Sequence, residues 1–210
     1  MFRSIRYAFA VAVNVAMPAA AYRLAFGHYG LEGALVASAI PLVVWMGIDI
    51  VRFGHFDALS ALALAAIALS LLIVVSVPEH WIVAVQDPLV SGLIGVLFLL
   101  SLGLRRPIVF YLARSTMARE KQGKEYEFDE MWRTRPDVVR SIRLMTVVWG
   151  VGFIGENVVR LWITYGATRD SADRISMCVR YGTYLALTAW TVYYRRVMIR
   201  RRETSGVAQA

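Results

Sequence analysis

Apolar residues fall along this chain in long blocks. Six of them, at residues 7–26, 33–52, 57–77, 85–104, 144–165 and 175–195, each approach the roughly 20 mostly apolar residues that carry a helix across a bilayer. None alternates with the period of two that marks a half-buried strand. The pattern predicts six spanning helices. "GHYGLEG" between the first two and "VPEHWIVAVQDP" between the third and fourth carry the Gly, Pro and Asp punctuation of turns. The first block has the basic start and small residues of a secretory signal, yet its apolar run passes Ala21 and Leu24 to reach Phe26. It is expected to remain as an uncleaved first helix.

The longest polar gap, residues 105–143, separates the fourth block from the fifth. Pro107 suits the first turn of a helix, where its missing N–H is no loss. In "IVFYLARSTMARE" one side then gathers Ile108, Tyr111, Leu112 and Ser115. This predicts a helix lying in the headgroup plane with its arginines reaching outward. "GKEYEFDEMWRTRP" alternates in sign and reads as solvated surface, with Pro136 and Asp137 opening the fifth helix. The expected fold is an all-α integral membrane protein, a bundle of about six transmembrane helices. Residues 1–104 hold four of them, 105–143 form an amphipathic cytoplasmic connector, 144–195 hold the last two, and 196–210 are a basic tail.

Composition strengthens this picture. Of 210 residues 58% are hydrophobic and 18% charged, against about 25% charged in soluble domains. The formal net charge of +8 would suggest nucleic acid in a soluble protein, but its placement argues otherwise. With the N-terminus inside, all of the 23 basic residues except Arg23, Arg160, Arg169, Arg174 and Arg180 fall on the cytoplasmic side, as the positive-inside rule requires. The basic excess therefore reads as topology and as attraction to anionic lipid headgroups, with no nucleic-acid partner and with both termini cytoplasmic. The single cysteine, Cys178, excludes an intramolecular disulfide and reads as a small buried hydrophobe.

"WGVGFIGENVVR" places Gly150, Gly152 and Gly155 in the spacing of a dinucleotide-binding loop. That loop works between a strand and a helix of a parallel sheet, and nothing in the chain could build the sheet. Glycines in a spanning helix serve close backbone approach instead. Gly152 and Gly155, with Ser91 and Gly95 of "SGLIG", are the expected helix-packing positions and a candidate self-association face. The same stretch carries Glu156 and Arg160, four apart with the acid first, the favourable order for a helical pair. Charges at this depth turn toward the bundle interior and find partners. Asn14 and Tyr22 share a face of the first helix, and Arg23 and Arg180 lie in the same outer half as Arg160. If these converge on Glu156, they make an outward pocket of net positive charge. His28, His55 and His80 fall in three different loops, so no metal site follows, and no cofactor is implied. No serine, cysteine or histidine is placed as an activated nucleophile, so an enzyme has no positive support.

Three segments, "DALSALALAAIALSLLI", "DPLVSGLIGVLFLLSLGLRRPIVFYLAR" and "RLMTVVWGVGFIGENVVRLWI", resemble a family of small polytopic bacterial inner-membrane proteins of unknown function. More distantly the chain is similar to the intracellular septation protein A group. The resemblance implies the bacterial inner (plasma) membrane and a part in envelope maintenance or division; it supplies no catalytic residues. Two functions remain open. The first is an envelope scaffold or accessory protein, in which the polar residues pair locally and no cavity exists. The second is a small transporter, channel or lipid-handling protein with a polar pocket for an anionic ligand.

Overall fold

The computed structural model describes residues 16–53, 57–76, 82–120, 123–166 and 169–207, and among these every regular element is helical. In chain order they are α1 (Met17–Phe53), α2 (Ala58–Ser76), α3 (Ile82–Leu100) running into a single 3-10 turn (Ser101–Gly103), α4 (Ile108–Glu120), α5 (Lys124–Thr134), α6 (Pro136–Gly166) and α7 (Arg169–Val207). Four stretches are long and apolar enough to cross a membrane: Met17–Val51, Ala58–Ser76, Val85–Gly103 and Pro136–Gly166. By length and composition the chain is a membrane protein.

The expected count of six is corrected to four. What the described residues show of the first two predicted helices belongs to one element, α1, and residues 7–15 of the first lie outside the described residues. The turn expected over 27–33 reduces to Gly30, whose φ of 65° and ψ of −164° interrupt an otherwise helical backbone. Only glycine populates that region readily, so the direction of α1 changes at that one residue. The sixth predicted helix is present within α7 but is too polar to count. Arg180 and the hydroxyls of Tyr181, Thr183, Tyr184, Thr188, Thr191 and Tyr193 dilute its apolar content. The turn signal between the third and fourth blocks also misled, because α3 already includes Ile82 and takes Asp87 and Pro88 inside it. A proline there removes one backbone hydrogen bond without ending the helix.

α3 and α6 run antiparallel and share the most extensive helix contact in the fold. Their closeness depends on missing side chains. A Cβ on Gly95 would stand 2.7 Å from the Gly150 carbonyl oxygen, and one on Gly92 would stand 2.7 Å from Asn157. α7 lies antiparallel on α6, with the Trp149 indole N–H donating to Thr191 Oγ1 at 3.0 Å. Phe98 and Phe153 meet edge to face with centroids 5.7 Å apart and form the centre of the membrane-level core with Ile94.

The 105–143 connector does not lie apart as a single surface helix. α4 and α5 fold into a hairpin on one end of the bundle, around Phe110, which is fully buried between the rings of Phe128 and Trp132. Val138, Ile142 and Met145 of α6 complete this second core. Tyr111, expected on the inward face, is 44% exposed, because the helix phase that buries Phe110 turns its neighbour out. Ile108 and Leu112 pack against the Phe98 core, and Ser115 donates to Asp57 Oδ1 at 3.4 Å. Nor are the charges of α5 all solvated. Asp129 accepts from Arg114 at 3.1 Å and pairs with Arg106 at 3.4 Å, while buried Glu125 accepts the Gly123 N–H at 3.0 Å.

Candidate functional site

Three helices present polar residues one turn apart on the faces where they meet. α3 contributes Asp87 and Ser91, α6 contributes Glu156 and Arg160, and α7 contributes Ser176, Arg180 and Tyr184. Four-residue spacing stacks each set on one helix face. Their meeting converts three short ladders into one cluster at the end of the bundle opposite the hairpin.

Glu156 and Arg160 are 3% and 4% exposed, so each must find its partners within the protein. Arg160 Nη1 donates to Glu156 Oε1 at 2.8 Å and its Nε donates to Ser176 Oγ at 2.7 Å. Ser91 Oγ donates to the second Glu156 oxygen. Both carboxylate oxygens and two guanidinium nitrogens are thereby engaged, which is the condition for burying an ion pair without large cost. Beside them Asn157 Nδ2 donates to the Pro88 carbonyl at 2.6 Å, and α3 is tied to α6 a second time.

The second ion pair joins α3 to α7, where Arg180 Nη2 donates to Asp87 Oδ2. It is more open than the first, with 54% of the Asp87 side chain and 30% of the Arg180 side chain exposed. Tyr184 lies within electrostatic range of both pairs and rests its ring edge to face on Phe153, with centroids 5.8 Å apart. Between this wall and the apolar face of α2, formed by Leu62, Ala66 and Ile67, lies a cavity of about 520 Å³. Asp87, Ser91, Arg160, Arg180 and Tyr184 all line it.

The structure brings together some of the residues expected here and separates others. Glu156, Arg160 and Arg180 converge, and Tyr22 stands within electrostatic range of Asp87. Arg23 is exposed and does not line the cavity, and Asn14 lies outside the described residues. The pocket is not net positive, because Asp87 neutralises Arg180 as Glu156 neutralises Arg160. Ser91, expected as a packing residue, is a hydrogen-bond donor to Glu156. Gly95 does sit at a close helix contact, and Gly152 faces Leu187 of α7 at 2.8 Å from its would-be Cβ. Among the described residues nothing comes within 4 Å of a Cβ built on Gly155. Gly150, Gly152 and Gly155 all fall inside continuous α6, so they form no phosphate loop. Cys178, expected to be buried, is exposed.

Sequence reasoning missed Asp87, Asn157, Ser176 and Tyr184. The signal for Asp87 was its place four residues before Ser91 at the head of an apolar block, and Pro88 disguised it as a turn. No protein family, curated protein or solved structure matches the chain.

Proposed function

We propose that the chain is a small transport or lipid-handling protein of the bacterial inner membrane, which binds an anionic ligand in the cavity walled by Asp87, Arg160, Arg180 and Tyr184. One observation carries this reading: two arginines share one wall of a cavity of about 520 Å³, within the roughly 300–1,000 Å³ of small-molecule sites. A scaffold needs the ion pairs but has no use for the space beside them.

The two pairs divide the work. Glu156 and Arg160 are buried with their partners in place and form a fixed floor. Asp87 is the exposed member of the other pair, so an incoming carboxylate or phosphate can take its place on Arg180. The apolar face of α2 accommodates whatever hydrocarbon the anion carries. The end bearing the hairpin faces the cytoplasm, since Arg105, Arg133, Arg135, Arg140 and Arg143 are all exposed there.

Thermal unfolding in neutral phosphatidylcholine nanodiscs tests the reading, with acetate, inorganic phosphate and phosphatidylglycerol as probes. At least one probe is expected to raise the midpoint of the wild type. Asp87→Asn removes the internal competitor and should enlarge the rise, whereas Arg180→Gln should abolish it. If no anion moves the wild-type midpoint, or if Arg180→Gln responds like the wild type, the cluster is only a structural ion-pair network and the scaffold reading takes its place.

A further inference from the structure

A second cavity, of about 570 Å³, lies at the other end of the bundle beneath the α4–α5 hairpin. α2, α3 and α6 form one side of it, the hairpin roofs it, and Arg195 of α7 stands at its edge. Its wall is mostly apolar. Four methionines contribute, Met117, Met131, Met145 and Met198, unbranched side chains that adapt to a flexible hydrocarbon better than rigid ones.

The polar groups in this wall are nearly all used within the protein. Thr116 Oγ1 donates to the Leu112 carbonyl at 2.8 Å. Thr191 Oγ1 donates to the Leu187 carbonyl at 2.8 Å and accepts the Trp149 indole N–H. Arg195 differs from every other arginine discussed above as part of a cavity wall: it is exposed and makes no ion pair among the described residues. A mostly apolar chamber whose wall carries a guanidinium with no ion-pair partner among the described residues has the polarity of a single-chain anionic amphipath.

We propose that this cavity binds one acyl chain of an anionic single-chain amphipath, a fatty acid or a lysophospholipid, with its carboxylate or phosphate on Arg195 and its chain beneath the hairpin. The site is separate from the Arg180 cavity and does not depend on the function assigned to that one.

The test uses the full chain in neutral phosphatidylcholine nanodiscs and 2-bromopalmitate, which quenches tryptophan fluorescence; Trp149 lines the cavity. Saturable quenching is expected over the linear background of probe dissolved in lipid. Palmitate and lysophosphatidylglycerol should compete, and the stronger of the two identifies the source of the chain. Hexadecanol, of equal length but uncharged, should compete about tenfold less well, the equivalent of one charge-assisted contact. Arg195→Gln, at an exposed position, should remove that discrimination, and Ala113→Phe should remove saturable quenching by filling the chamber. Gly155→Ala, at a residue that lines neither cavity, should leave all of it unchanged. The proposal is overturned by purely linear quenching, by equal competition from hexadecanol, by inorganic phosphate competing alone, or by an Arg195→Gln variant that still prefers the acid.

Discussion

Removing the Glu156 carboxylate would leave the Arg160 guanidinium buried at 4% exposure with Ser176 as its one remaining side-chain partner among the described residues. Breaking one member of a buried pair costs about 3–5 kcal/mol, and a bilayer gives the stranded charge no water to recruit. Glu156→Ala is expected to show a loss of that size in thermal or denaturant unfolding of the purified protein. The double change Glu156→Met with Arg160→Met should recover most of it, since two apolar side chains of similar length replace the pair. Ser91→Ala is milder, about 1–3 kcal/mol, the cost of leaving one carboxylate oxygen without its donor. Glu156 and Arg160 were legible in the sequence because charge inside an apolar block is conspicuous and a spacing of four puts both on one face. Asp87 was illegible for the opposite reason. An acid next to proline is the usual mark of a turn, and only the contact with Arg180, 93 residues away, gives it another meaning.

At the scale of helices, the sequence reveals that glycines matter but not which ones. Gly95, Gly150 and Gly155 lie in similar apolar surroundings, yet α6 turns only some of its faces toward a neighbour. At Gly95 the obstacle is backbone, a carbonyl oxygen 2.7 Å from the would-be Cβ, so Gly95→Val forces α3 and α6 apart. A loss of about 1–3 kcal/mol is expected. Gly155→Ala meets nothing within 4 Å and should be neutral or stabilising by up to about 1 kcal/mol through helix propensity. The same denaturation series checks both. Gly30→Ala should cost about 1–3 kcal/mol at its glycine-only backbone angles. Block length made α2, α3 and α6 readable. The hairpin resisted reading because Phe110 and Tyr111 are adjacent aromatics, and the choice between them is made by α6 and α5 rather than by α4 itself.

Across the whole molecule, the hairpin and the start of α7 lie at opposite ends of the bundle, and their sidedness can be read chemically. With Cys178→Ser as background, Tyr126→Cys and Asp173→Cys each place one thiol at an exposed position, on α5 and at the start of α7. A membrane-impermeant maleimide is expected to label the first only in inside-out vesicles and the second only in right-side-out spheroplasts. Labelling of both from one side would reject the placement of the hairpin and the start of α7 on opposite faces.

The ring of Phe153 touches Phe98, Trp149 and Tyr184, and together with Leu59 and Leu62 it borders both cavities. The two chambers therefore share one partition of three apolar side chains. Shortening that ring, as in Phe153→Leu, is expected to open space on both sides at once.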